Sequence, residues 1–239
     1  VRVTTPHVKA ARNLPEIKAA LRRRGVRVPL VADIHYDYRM ALEITEREIR
    51  ERNPLHLCRS SGALFTEQGG DAAVIQLQFL NRMITITWPE LSFSQDQKAE
   101  VPIKEKIIIL HYLNGVKREQ AGQEWISYKD IPSARFYLDA FNRRVKQPLM
   151  SAFGEQPDRL VSCARDLYGA TGSSFGDVSV IIQVLPKIPV ALALWRGDEE
   201  FPPDAAILFD RSIQDILSAE DISELCSMIV YPLVAKAGS

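Results

Sequence analysis

The chain of 239 residues is long enough for one large domain or two small ones that bury a core without disulfide or metal staples. Its 30 Lys and Arg residues balance its 30 Asp and Glu residues, so the overall charge gives no attraction to nucleic acid or to an anionic membrane. No apolar run approaches the ~20 residues of a membrane-spanning helix, and no secretory signal is visible, so we expect a cytoplasmic protein with neither membrane nor nucleic acid as partner.

Residue types that bind metals are scattered along the chain. His7 and His56 have no cysteine or carboxylate at a spacing that would complete a ligand set. The three cysteines are odd in number and far apart, which argues against a disulfide framework and favours reduced core residues: Cys58, Cys163 and Cys226. We therefore predict no metal site.

Residues 1–36 have the pattern of a β-α-β unit. Residues 1–4 alternate as a strand does, residues 8–24 have helical periodicity, and residues 29–35 form a second apolar run. Such a unit normally belongs to a parallel sheet covered by helices, with ligand groups at the carboxyl ends of its strands. Those ends carry Thr4, Asp33 and His35.

The same stretch has a family resemblance. The string VRVTTPHVKAARNLPEIKAALRRRGVRVPLVADIHYDYRMAL, with VADIHYDYR as its specific core, resembles the early barrel segment of the 4-hydroxy-3-methylbut-2-enyl diphosphate synthases, iron-sulfur enzymes of isoprenoid synthesis. The resemblance implies that Arg2, Asp33 and His35 line a diphosphate pocket at the mouth of a TIM barrel. Neither the remaining barrel strands nor the family's cluster-binding cysteines follow. Because two strands cannot close a barrel, we expect an incomplete β-α-β fragment without synthase activity.

From residue 37 onward the pattern changes to α+β. It predicts a helix that reaches Asn53 and is ended by Pro54, a β-hairpin over residues 73–88, a polar loop over 89–99, and a helix that opens at Pro102. Apolar residues surround this last helix, so it is expected in the core. His111 lies within it, and a lone histidine there is more often a hydrogen-bonded core residue than a base.

The second half adds helices and three consecutive strands. We predict a short strand over residues 125–128, a helix over 135–153 that is broken near Pro148, and a helix over 157–168. Strands over residues 178–185, 190–195 and 205–209 form a meander, and a final helix is capped by Ser218 with Asp221 three residues on. The predicted fold is α+β: an antiparallel sheet, made of the hairpin and the C-terminal meander, packed with helices over residues 37–239.

A second resemblance covers this larger part. The strings VPIKEKIIILHYL, EWISYKDIP, FYLDAFNRR and LWRGDEEFPPDAAILFDRS resemble an uncharacterised domain family of anaerobic bacteria. Members often occur beside iron-sulfur domains of corrinoid and carbon-monoxide metabolism. The resemblance thus implies an iron-sulfur or corrinoid protein as partner, with any cluster held by that partner and no cofactor in this chain. DYRMALE suits both families, which favours a truncated or fused fragment over a bifunctional protein.

The best site candidate is the stretch 196–211. It presents two arginines and several carboxylates near the ends of two buried strands: Arg196, Asp198, Glu199, Asp210 and Arg211. These charges either pair structurally or form a site with Trp125 and Tyr137. A binding module needs only their exposure, whereas an enzyme needs Asp198, Glu199 or Asp210 as an acid or base with a raised pKa. Three hypotheses therefore remain open: a binding module, an enzyme, and an inactive synthase fragment.

Overall fold

The computed structural model describes residues 2–4, 13–27, 31–33, 38–96, 99–117 and 124–238, and for 2–4 and 31–33 it describes the backbone alone. Strand β1 (Arg2–Thr4) pairs in parallel with β2 (Val31–Asp33), and helix α1 (Leu14–Arg23) lies between them in sequence. The predicted β-α-β order is therefore observed. No further described strand joins this pair, so the structure does not show the barrel character that the resemblance implies.

Two helices follow, where one was predicted. Helix α2 (Tyr38–Arg50) ends before Pro54, and α3 (Pro54–Ser61) begins at it. Asn53 accepts a hydrogen bond from the His56 N–H at 3.1 Å and caps α3. Proline suits the first turn of a helix because its missing N–H has no partner there in any case. Pro54 thus starts a helix as well as limiting the preceding one.

The predicted hairpin is the centre of a four-stranded antiparallel sheet. Its strands are β4 (Ala72–Phe79) and β5 (Arg82–Trp88), flanked by β3 (Leu64–Gly69) and β6 (Phe93–Gln95) in the order β3-β4-β5-β6. Alternate residues of the central pair are buried, as the pattern predicts: Ala73, Ile75, Leu77, Phe79, Ile84, Ile86 and Trp88. The flanking strands were not predicted, and β6 lies in the segment interpreted as a loop.

Helix α4 (Ile103–Gly115) begins after Pro102 and is buried on most sides, as predicted for a core helix. The segment interpreted as one broken helix is more elaborate. Two 3₁₀ turns (Tyr128–Asp130 and Pro132–Tyr137) lead into α5 (Leu138–Phe141), a π-helical turn (Asn142–Lys146) and α6 (Gln147–Phe153). The helix therefore widens ahead of Pro148 rather than breaking at it, because proline has no N–H to donate to the preceding turn.

The C-terminal meander forms a second antiparallel sheet. Strands β9 (Val178–Leu185), β10 (Ile188–Trp195) and β11 (Asp204–Asp210) are neighbours, as predicted. The edges are two short strands, β7 (Trp125–Ser127) beside β11 and β8 (Thr171–Gly172) beside β9. Helix α7 (Asp158–Tyr168) precedes β8, and two helices close the chain: α8 (Ile213–Ile216) and α9 (Ala219–Ala237). The predicted cap of α9 is present, since Ser218 and Asp221 bond each other reciprocally.

The fold is α+β, but the hairpin and the meander lie in separate sheets rather than in one. The Leu80 N–H, in the hairpin turn, donates to the Val184 carbonyl of β9 at 2.7 Å and so links the sheets. Both sheets share one apolar core with α4, α7 and α9. All three cysteines are buried and free. Within the described part of the chain, no helix has the length and apolar character needed to traverse a bilayer.

Candidate functional site

The loop between β10 and β11, residues 196–203, holds three of the predicted site residues. Trp195 and Asp204 form the last residue pair of the hairpin, and the loop projects beyond them. Its conformation is fixed by Asp198, whose carboxylate accepts the N–H groups of Glu200 at 2.8 Å and Phe201 at 2.7 Å. These two backbone hydrogen bonds hold the pKa of Asp198 below its ordinary value. Asp198 is therefore a structural carboxylate of the loop.

Arg196 fastens the base of this loop to neighbouring segments. Its N–H donates to Asp177 at 2.8 Å, and its guanidinium donates to Asp158, the first residue of α7, also at 2.8 Å. About half of the Arg196 side chain and most of the Asp158 side chain are exposed. Arg196 thus makes a surface ion pair with a residue of another element, instead of a buried pair with Asp198 or Glu199.

Close packing also restrains the start of the loop. Gly176 has φ +67°, and a Cβ there would lie 2.8 Å from the Leu194 carbonyl oxygen and 3.0 Å from the Trp195 ring. At the other side, Lys146 of the π-helical turn pairs with Asp204 at 2.7 Å. Burial raises the pKa of the Asp204 carboxyl, but its hydrogen bonds with Lys146 and with the Ala205 N–H, together with the charge of Lys146, outweigh burial and lower the pKa.

The remaining charges of the stretch lie at the opposite end of the hairpin. The guanidinium of Arg211 forms two hydrogen bonds to the Glu124 carboxylate, and Asp210 accepts the Ser212 N–H at 3.0 Å. Strand β11 separates these residues from the loop by about 20 Å, since a strand rises ~3.3 Å per residue. These five charged residues therefore do not form one cluster, because the turn and the free ends of an antiparallel hairpin lie at opposite ends of its strands.

The two predicted aromatic site residues do not join the loop. Trp125 lies opposite Asp210 in the β7–β11 pairing, and its ring contacts the Phe175 ring with centroids 5.1 Å apart. Tyr137 ends the second 3₁₀ turn and is half-buried against the core. Arg2 lies in β1 and Asp33 in β2, but their side chains, and all of His35, lie outside the described residues.

Phe201, an exposed apolar residue of the loop, was not singled out by the sequence. The Phe201 side chain is 67% exposed and that of Trp195 is 39% exposed. Glu199 and Glu200 lie between them in sequence and are also exposed. The sequence feature that could have indicated this exposed residue is its position: Phe201 lies in a turn, directly after acidic residues and before Pro202. The loop therefore combines a fixed backbone with aromatic and acidic groups directed to the surface.

A second cluster surrounds His111. Its Nδ1 lies 2.9 Å from Asp221 Oδ1 and its Nε2 lies 3.1 Å from Thr45 Oγ1, so the histidine is hydrogen-bonded as predicted. Burial lowers the pKa of His111, but the hydrogen bond and charge of Asp221 and the charge of Glu48 outweigh it and raise the pKa overall. Conversely, burial raises the pKa of Asp221, and its bonds to His111 and Ser218 bring it below the ordinary value.

The buried thiols of Cys58 and Cys226 are poorly reactive. Burial raises the pKa of the Cys58 thiol to about 11 and that of Cys226 further, so neither is a ready nucleophile. In the part of the chain that the structure describes, no three His, Cys, Asp or Glu side chains come together as a metal site would require.

A family comparison covers most of these elements. The model of a family described as a domain of unknown function (DUF3786) matches residues 53–231, well over half of the chain. The chain belongs to the DUF3786 family. The matched region contains both antiparallel sheets, the β10–β11 loop, His111 and Asp221, and it begins after α2 and Thr45.

Shorter similarities link the DUF3786 chain to curated 4-hydroxy-3-methylbut-2-en-1-yl diphosphate synthases. It is 48% identical over 56 residues to the ferredoxin form from Parasynechococcus marenigrum, covering 23% of this chain and 14% of that protein. It is 53% identical over 49 residues to the flavodoxin form from Maridesulfovibrio salexigens, covering 20% and 12%. The chain thus spans well under a fifth of the length of these relatives. No solved structure matches it.

Proposed function

We propose that the DUF3786 region is a binding module that docks onto a protein partner through the β10–β11 loop. The observation that carries the proposal is a loop held in place by its own hydrogen bonds while Phe201 and Trp195 remain exposed. A loop that is already ordered loses little conformational entropy on binding. Aromatic residues and arginine are also the types that most often dominate the energetics of protein interfaces.

The charge around the aromatics supports a basic partner surface. Arg196 and Asp158 neutralise each other, as do Lys146 and Asp204. Within the described residues, the Glu199 and Glu200 side chains have no ion pair, so they leave the loop acidic. A partner with an apolar pocket edged by Lys or Arg fits this combination, because complementary charge guides association and fixes register.

The family resemblance supports an iron-sulfur or corrinoid protein as the partner. In this proposal the cluster or corrinoid belongs to the partner, and this chain contributes the loop and no cofactor of its own. The catalytic alternative is less well supported, because the pKa of Asp198 is lowered, the opposite of what a general acid needs. The short synthase matches support an alternative for the N-terminal residues alone, namely a truncated or fused fragment of that enzyme that is inactive as it stands.

The test is a binding measurement with purified proteins. The chain is titrated by calorimetry against a purified corrinoid iron-sulfur protein from the same organism, at low and at high salt. Phe201→Ala is expected to weaken binding by about tenfold or more, as loss of an aromatic anchor typically does. Phe136→Ala is the matched control, because Phe136 is 95% exposed but lies on the second 3₁₀ turn.

Two outcomes would contradict the proposal in different ways. If the wild-type chain does not bind this protein, the assigned partner class is wrong. If it binds and Phe201→Ala binds equally well, the β10–β11 loop is not the docking surface.

A further inference from the structure

His111 lies where three helices meet. It belongs to α4, its Nδ1 is 2.9 Å from Asp221 in the first turn of α9, and its Nε2 is 3.1 Å from Thr45 of α2. The Thr45 hydroxyl in turn donates to the Ala41 carbonyl at 2.9 Å. One third of the His111 side chain is exposed, so protons can reach it from solvent.

The hydrogen-bond network fits the charged imidazole. A hydroxyl has one hydrogen, so a Thr45 that donates to Ala41 can only accept from His111 Nε2. Asp221 accepts from Nδ1, and a ring that donates from both nitrogens is the imidazolium. A neutral ring can keep both hydrogen bonds only if it donates from Nδ1 to Asp221 and the Thr45 hydrogen turns away from Ala41 toward Nε2.

The charged groups that face His111 come from two elements. Helix α9 supplies Asp221, which also accepts from the Ser218 N–H and hydroxyl, and α2 supplies Glu48. The contacts of α3 and α8 with α4 include two uncharged ones, the Ser61 carbonyl at Tyr112 and the Ile216 backbone at Gly115. Arg52, between α2 and α3, donates to the Asn114 carbonyl near the end of α4 at 3.4 Å.

Helix α4 itself carries two paired cations before His111. Lys104 binds Glu224 of α9 at 2.7 Å and lies over the Tyr38 ring, and Lys106 binds Glu100 at 2.9 Å. The carboxylates around the ring outweigh the effect of burial and raise its pKa.

Two of the groups that favour the charged ring lie on α2, outside the region that the family model matches. If α2 detaches, His111 keeps Asp221 but loses Glu48 and the Thr45 acceptor. Proton binding and α2 docking must then assist each other, since linkage between two events is reciprocal. We propose that His111 is a proton-operated latch that holds α2 against α4 and α9 and loosens as the ring loses its proton. Lys18 of α1 lies 3.9 Å from Glu48, so α1 also contacts the helix that this latch holds.

The proposal makes a quantitative demand. The docking ratio is the population of chains with α2 docked divided by the population with α2 detached. This ratio must fall from low to high pH by a factor of ten raised to the pKa of His111 in the docked state minus its pKa in the detached state. A difference of half a unit corresponds to a change of about threefold. The change in the docking ratio and the pKa of His111 in the docked state are both measurable on the intact chain.

The experiment combines two nuclear magnetic resonance measurements. Imidazole signals give the pKa of His111, and amide hydrogen exchange gives protection factors for α2 and, as an internal reference, for α7, at pH 5.5 and pH 8.5. We expect α2 protection, relative to α7, to fall about threefold or more as the pH rises. Glu48→Gln and Thr45→Val should each lower the pKa of His111, and each should reduce the fall in α2 protection by a matching amount.

His111→Gln should abolish the pH dependence, whereas the control His56→Gln, at an exposed position of α3, should retain it. The proposal is overturned if relative α2 protection is the same at both pH values, or if His111→Gln keeps the dependence. Should His111→Gln fail to fold, Glu48→Gln decides alone, because an unchanged His111 pKa in that folded variant contradicts the coupling.

Discussion

Tyr112→Phe tests whether one hydroxyl ties the helical layer to the five-stranded sheet. Tyr112 is fully buried on α4, and its hydroxyl donates to the Ser61 carbonyl at the end of α3. The same oxygen accepts the Lys187 N–H, in the turn between β9 and β10, at 3.1 Å. Burial raises the pKa of this hydroxyl, so it remains a neutral donor throughout the ordinary pH range.

The magnitude follows from what the substitution leaves behind. Phenylalanine keeps the ring and its packing but strands a carbonyl on Ser61, which is fully buried, and a partly buried N–H on Lys187. A buried polar group without a partner costs about 1–3 kcal/mol. Since the turn at Lys187 can admit water, we expect a total loss of about 2 kcal/mol in the free energy of unfolding.

Urea denaturation followed by circular dichroism provides the assay. With a slope of roughly 2–3 kcal/mol per molar urea, the midpoint should fall by about 0.7–1 M and the slope should not change. Tyr231→Phe is the control, because Tyr231 is 52% exposed and the chemical change is identical. A Tyr112→Phe midpoint equal to that of the control would refute the reasoning, since it would mean that the stranded groups find other partners at no cost.

Four further predictions follow from burial and charge. Arg196→Ala should leave the urea midpoint unchanged within error, because its ion pair is exposed; a clear decrease would reveal a buried partner. The pair His111–Asp221 should stabilise the fold fully between about pH 3.8 and 6.5, the ordinary pKa values of the two groups. Above this window, the melting temperature should fall as the pH passes the raised pKa of His111. Below it, the melting temperature should fall as the pH passes the lowered pKa of Asp221. The Cys226 thiol should resist Ellman's reagent at pH 8 until urea unfolds the chain, since burial raises its pKa; rapid native-state labelling would contradict its burial. Deleting residues 1–36 should leave the melting temperature of the remainder unchanged within error, and a large drop would show that this unit is integral to the fold.

Strands with one strongly apolar face were predictable because a period of two identifies them directly. Strands β9, β10 and β11 were recognised instead from short apolar runs, since β9 and β10 are buried on both faces, whereas β4 and β5 have the alternating character. Strands β3 and β6 do not, since their residues are mostly exposed or half-buried edge residues whose pattern resembles a loop. The division of the strands between two sheets also escaped prediction, because it depends on contacts such as Leu80 with Val184 that no local period reports.

Pairing partners were the least predictable feature of the candidate site. Arg196 was expected to bind a carboxylate of its own turn, but it binds Asp158, 38 residues earlier, while Arg211 binds Glu124, 87 residues earlier. His111 was recognised as a hydrogen-bonded residue, yet its partners lie 66 and 110 residues away in the chain. Sequence pattern identifies which side chains need partners. Long-range folding decides which partners they obtain.

The position of α2 shows that a family boundary and a physical boundary need not coincide. The family match begins at residue 53, yet Ile49 of α2 is fully buried in the shared core. Thr45 is also buried, and it contacts His111 from outside the matched region. A family model marks what related chains share, whereas burial marks what must fold together. Helix α2 therefore belongs to the core by its packing, although the family match leaves it out.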